Sequence, residues 1–201
     1  MVKKLLKDDH PVNKKKILKA AIEVFSKKGY QRTTIREIST KSGLSIGTIY
    51  FHFENKEEIL KEVLKNTELI AMSSVMEQID SMEPYDIIKK INREITKNMA
   101  ANFETLLLLI NTSKDNPKFN SFFYEQFRSK TGEIAELIKE LIKRGSIRKV
   151  NPENAAIFLI GNVFTMVILK ENILKKNLEN TYYEEMNEFI MDMLKNGFFK
   201  K

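Results

Sequence analysis

TIREISTKSGLSIGTIYFHF, residues 34–53, decides how this chain folds. Thr34 and Glu37 form the pair Thr-x-x-Glu, a capping box that opens a short helix with Ile35 and Ile38 on its core side. That helix ends at Ser42-Gly43. After the turn Gly43-Leu44-Ser45, Ser45 caps a further helix with Ile49 and Phe53 four apart on one side. Two short helices joined by a tight turn containing Gly form a helix-turn-helix, whose second helix enters the DNA major groove with its N-terminal residues at the base edges.

The flanks agree with this reading. Upstream, Asn13 is expected to cap a helix over Lys14–Lys28, with Leu18, Ala21, Ile22 and Phe25 as its apolar stripe and Gly29 as its stop. Downstream, Asn55 and Glu58 open a fourth helix carrying Ile59, Leu60, Val63 and Leu64. Ser45, Gly47 and Thr48 are small, so the backbone of the reading helix can approach a duplex closely. Tyr50 and His52 can donate to phosphates, and Lys56 adds charge beside them. Tyr50 can equally be a half-buried core aromatic, and Thr33 and Thr34 have capping roles whatever else they do. A lone His52 with no carboxylate or nucleophile at a useful spacing fits a phosphate contact better than catalysis.

The segments ILKAAIEVFSKKGYQRTTIREISTKSGLS (Ile17–Ser45) and GTIYFHFENKEEIL (Gly47–Leu60) resemble the DNA-binding domain of the TetR (tetracycline-repressor) family, over about a quarter of the chain. The resemblance implies phosphate contacts for Thr33, Thr34, Tyr50, His52 and Lys56. It places Arg36, Ser45, Ile46, Gly47 and Thr48 nearest the bases. Ile46 departs from the polar or basic residue common in that family; it either meets a thymine methyl or tucks against neighbouring protein.

Composition narrows the alternatives. With 42% hydrophobic and 30% charged residues the chain has the make-up of a folded globular protein, not a disordered one. Only 7 Gly and 4 Pro leave little turn material, which favours long helices and an all-α fold. The formal charge is +7, yet Met1–Glu62 holds 14 Lys+Arg against 8 Asp+Glu while the remainder holds 20 against 19. The positive excess therefore sits in the first third, as a polyanion-binding module or a solvated lysine surface would have it. Absence of Cys removes disulfides and Cys-ligated metals, and His10 and His52 share no metal-ligand spacing. No Ser/His/Asp arrangement or phosphate-cradling Gly loop points to an enzyme or a cofactor. The N-terminus lacks a signal-peptide core, and the apolar stretch Ala155–Leu169 is shorter than a membrane span, so no membrane partner is expected. A bacterial or archaeal cytoplasm, at the nucleoid, is the expected location.

The boundary is expected at 62/63, with residues 63–201 forming a ligand-sensing and dimerisation domain and the whole chain about nine helices. The fourth helix is expected to continue to about Asp80. Further helices follow from Pro84 to about Asn102, over Phe103–Ile110, and from about Lys118 to Arg144. The last two open at Asn151-Pro152 and at a Thr181-x-x-Glu184 box. Ala155–Leu169 is apolar almost all round, so it is either a central core helix or part of a two-fold four-helix interface with the last helix. For the interface reading the candidates are Phe158, Gly161, Asn162, Thr165, Phe189, Ile190, Met193 and Leu194. Candidate liners of an apolar effector pocket are Met72, Met76, Phe103, Leu107, Phe123, Phe127, Phe164 and Met166. The functional expectation is a homodimeric repressor that binds a palindromic operator in double-stranded DNA and is released by a small apolar effector. The alternative is a ligand-independent DNA binder of chromosome organisation or cell division.

Overall fold

Gly29 and Gly43 end the first two helices. Both adopt positive φ, 79° and 70°, where a side chain would be strained. The computed structural model describes residues 10–67, 81–174 and 181–196, and no strand occurs among the described residues. The first helix, α1, spans His10–Lys28. Asn13 lies inside it, not at its cap: Pro11, whose fixed φ suits a first turn, lets the helix begin earlier. Three short helices follow, α2 (Ile35–Ser42), α3 (Ile46–His52) and α4 (Lys56–Asn66). They bury Ile17, Ala21 and Phe25 of α1 against Ile38, Ile49, Ile59 and Leu60, all at 0% exposure. The expected continuation of α4 to Asp80 lies outside the described residues.

Beyond them come α5 (Pro84–Ala101), α6 (Phe103–Asp115), α7 (Pro117–Lys143), α8 (Pro152–Ile168) and α9 (Tyr182–Asn196). Helix α6 outruns its expected end at Ile110. The Thr112 and Ser113 hydroxyls donate to the carbonyls of Leu108 and Ile110, both at 2.8 Å, so these polar residues stay in the helix. Helix α7 stops at Gly145 (φ 72°), where the Ser146 amide donates to Leu141 O and the Gly145 amide to Ile142 O, both at 3.0 Å, in a Schellman arrangement. Asn151 caps α8 by accepting from the Asn154 amide at 2.7 Å, with Pro152 in the first turn. At α9 the Thr181 hydroxyl pairs with Glu185 (2.6 Å) instead of the expected Glu184.

The described residues divide into two compact units, and the division does not follow the expected 62/63 boundary. Residues 10–67 pack with 104–124, drawn from α6 and the start of α7; residues 81–103, 125–174 and 181–196 form the other unit. In the second unit α5 packs on α8 and α9 through Ile87, Ile91 and Ile95, buried with Val163, Met166, Val167 and Met191. At the centre of that packing Asn92 Nδ2 donates to Asn187 Oδ1 at 2.6 Å, and the Thr96 hydroxyl, 2.7 Å from the Asn92 carbonyl, lies 3.2 Å from the same Oδ1. The cluster joins α5 to α9 in a single register, because an apolar site offers these groups no other partners.

Helix α8 runs on through a π-helical turn, Leu169–Leu174. The segment Pro152–Leu174 is thus longer than the apolar stretch read from sequence, and by length and composition it is sufficient to cross a membrane. Only 28% of its apolar window is buried, and Ile157 (53%) and Phe158 (54%) face outward. On α9, Phe189 and Leu194 are exposed. Ile190 instead joins the core of its own unit at 8% exposure. We expect Asn187→Ala to cost about 1–3 kcal/mol, because the Asn92 amide loses its buried acceptor. Chemical denaturation should show a lower midpoint at an unchanged slope.

Candidate nucleic-acid interface

The surface of interest is built on three caps. Thr34 Oγ1 accepts from the Glu37 amide (3.3 Å) while Glu37 Oε2 accepts from the Thr34 amide (2.9 Å), a complete capping box. Ser45 accepts from the Thr48 amide at 3.0 Å, and Asn55 from the Glu58 amide at 3.0 Å. Between α2 and α3 the Ser39 hydroxyl donates to Leu44 O at 2.6 Å, fixing the corner. The outcome is that Ile38, Ile49 and Phe53 point into the core while the opposite face of α2 and α3 is open.

On that open face stand Thr34, Arg36, Ser45, Ile46, Gly47 and Tyr50, all exposed. Ile46 is 42% exposed, so it is only partly tucked against protein, and Tyr50, at 53%, is no core aromatic. A Cβ added at Gly47 would meet only Ser45 Oγ, at 3.7 Å. Nothing inside the protein therefore requires glycine there; its smallness serves whatever approaches from outside. Thr48 and His52 are half-buried, the Thr48 hydroxyl sharing a 2.8 Å hydrogen bond with Ser45. Phe51, which the sequence reading passed over, is 69% exposed and meets the His52 ring edge-on at 5.4 Å. Its spacing of four from Gly47 places it on the same flank of α3 and is the signal that would have found it.

Two of the expected phosphate contacts are placed otherwise. Thr33 is 2% exposed and its hydroxyl donates to Gly29 O at 2.9 Å. Lys56 is turned inward on the α1–α2 turn, donating to the carbonyls of Tyr30 and Thr33 at 2.7 Å and of Gln31 at 3.1 Å. Burial lowers its pKa, with Glu37 opposing the shift. Burial also raises the pKa of Tyr30, helped by Glu57.

The candidate pocket liners are dispersed. Met72 and Met76 lie outside the described residues. Phe103 and Met166 are buried in packing, Leu107, Phe123 and Phe164 half-buried, and Phe127 exposed. Of these only Leu107 borders the cleft of about 330 Å³ found in the first unit, between the end of α1 (Phe25, Lys28), the turn through Tyr30 and Arg32, and α6 (Glu104, Asn111, Asp115). Among the interface candidates Gly161 and Thr165 are exposed like Phe158, whereas Asn162 and Met193 are half-buried. No metal-holding group of His, Asp or Glu occurs among the described residues.

Gly47→Ala is expected to leave thermal stability unchanged or slightly raised, since alanine gains roughly 0.5–1 kcal/mol in a helix interior. It should weaken DNA binding, so melting and binding move in opposite directions. A second expectation concerns acid. The Lys28 ammonium and the Thr34 amide hold the Glu37 carboxyl down to about 2 from 4.5. A depressed carboxyl stabilises the fold fully above its unfolded pKa, so the contribution is lost as pH falls from 4.5 toward about 2. Glu37→Gln should flatten that part of an acid titration followed by circular dichroism, modestly, because the group is exposed and salt-screened.

Residues 17–63 match the family described as bacterial regulatory proteins, tetR family. The HTH-type transcriptional regulator YerO of Bacillus subtilis (strain 168) is 30% identical over 124 residues, 56% of this chain and 40% of YerO. The biofilm operon icaADBC HTH-type negative transcriptional regulator IcaR of Staphylococcus epidermidis is 42% identical over 53 residues, 26% of this chain and 29% of IcaR. The chain thus spans less than half the length of these curated relatives. In fold it is similar to the transcriptional regulator FadR from Bacillus subtilis, solved with stearoyl-CoA, at a TM-score of 0.73 and 20% identity over 92% of this chain and 98% of that one. Through its residues 17–63 the chain belongs to the tetR family of bacterial regulatory proteins.

Proposed function

We propose that this protein is a cytoplasmic transcriptional repressor that binds a palindromic DNA operator as a homodimer and releases it on binding a lipophilic small molecule. The observation that carries the DNA reading is the outward face of α3. Exposed Ser45, Ile46 and Tyr50 surround a Gly47 whose Cβ position is open, and Arg36 of α2 stands exposed with them. This is a surface without deep relief, suited to the floor of a major groove. Dimerisation is supported by the uncharged stripe Ile157, Phe158, Gly161 and Thr165 on α8, with Phe189 and Leu194 on α9. So much exposed apolar surface marks an interaction site. Repression follows the IcaR name, and a lipophilic effector follows the stearoyl-CoA bound to FadR.

The two reading helices of such a dimer must sit roughly 34–36 Å apart, one turn of B-DNA. A ligand that favours another spacing then opposes DNA, and DNA opposes the ligand equally, by about 1–3 kcal/mol.

Selection of bound duplexes from a random pool, with and without stearoyl-CoA and free fatty acids, tests the whole reading. A palindromic site lost on adding one compound is the expected result. A site indifferent to all of them removes the effector, and dispersed weak sites favour a chromosome-organising protein. Phe158→Glu with Phe189→Glu should give a monomer by light scattering and weaken operator affinity. Ile46→Lys should change the preferred base at one position; an unchanged preference removes the thymine-methyl contact.

A further inference from the structure

We infer that Lys56 is a positioning residue for the DNA-reading surface, holding the α1–α2 turn against the start of α4, and that it makes no phosphate contact. The inference rests on the DNA-binding reading proposed above. An ammonium has three donors and no acceptor. All three are taken within the protein, by Tyr30 O and Thr33 O at 2.7 Å and Gln31 O at 3.1 Å, while the Tyr30 ring centroid lies 4.5 Å from the same nitrogen. A phosphate would have to displace one of these carbonyls, leaving it without a donor in a half-buried turn.

The turn needs that cation. Its carbonyls belong to no regular ladder, and each must find a donor locally. Arg32 Nε serves Lys28 O at 2.9 Å and the Thr33 hydroxyl serves Gly29 O at 2.9 Å. The Gln31 and Thr33 carbonyls are left to Lys56, which also shares Tyr30 O with the Thr33 amide (3.2 Å). Thr33 precedes Thr34, the cap of α2, and Lys56 follows Asn55, the cap of α4. The tie between residues 33 and 56 therefore closes a loop holding α2, the Gly43–Ser45 corner and α3, which is the whole reading element. Fixing those two ends sets where α2 begins and how α3 is presented.

The full-length chain is tested with a duplex bearing its selected site, over a salt series, as wild type, Lys56→Met and Lys56→Arg. A planar guanidinium cannot converge three donors from one nitrogen, yet it serves a phosphate at least as well as lysine does. Both variants are thus expected to lose about tenfold or more in affinity, as loss of charged hydrogen bonds implies, with the salt slope unchanged. Amide exchange at Thr33, Thr34 and Ile35 should quicken in the DNA-free protein. A slope reduced by about 0.9 in Lys56→Met, Lys56→Arg binding like wild type, or unaltered amide exchange would each overturn the inference. If Lys56→Met does not fold, Lys56→Arg decides by the same readouts. If wild type shows no salt-sensitive affinity for duplex DNA, the DNA reading itself fails; exchange at residues 33–35 still reports on the clamp.

Discussion

A chain that turns from one helix into the next within the span Gly43-Leu44-Ser45 has few ways to satisfy its backbone, and the rest of the head depends on the solution found here. Gly43 takes the left-handed conformation that closes α2, and the Ser39 hydroxyl occupies the Leu44 carbonyl. Ser45 then supplies the first acceptor for α3. Because the corner is saturated by its own side chains, Ile38 and Ile49 are left to pack on each side of it. Their burial at 0% exposure fixes which face of each helix is turned out. The outward face exists as a by-product of that seating.

Local chemistry is what made much of this legible. A cap involves residues three apart, so Thr34 with Glu37, Ser45, Asn55 and Asn151-Pro152 could be read from the string alone, as could the glycine stops at Gly29, Gly43 and Gly145. Reading failed where the deciding partner is remote or undescribed. Lys56 looks like a free cation until its acceptors, 23 to 26 residues away, are in view. Ile190 looks outward until α5 is seen to pack on α9. Asn13 looks like a cap because nothing in the pattern shows that Pro11 already lies in a helix. Residues 104–124 joining the head is a tertiary fact with no local signature, so the 62/63 boundary did not foresee it.

The same logic explains how the basic excess of the first third is distributed. Lys14, Lys28, Lys41 and Lys61 are engaged by Glu62, Glu37, Glu23 and Glu57, and Lys56 by carbonyls. Much of the positive charge counted in the sequence is thereby committed to holding α1, α2 and α4 in place. Arg36, on the outward face, has no ion pair among the described residues, so short-range contact, more than a broad cationic field, is what the face offers.

The stripe on α8 carries a consequence for fidelity. Ile157, Phe158, Gly161 and Thr165 present shape but no charge, and a Cβ at Gly161 would meet nothing within 4 Å. Like-charge repulsion is the cheapest device by which a surface refuses a wrong mate, and this surface has none. Any foreign chain with a comparable bare ridge would meet only steric discrimination. Keeping company with the right partner then falls to the fit of a few methyl and ring edges, and to which chains are synthesised together.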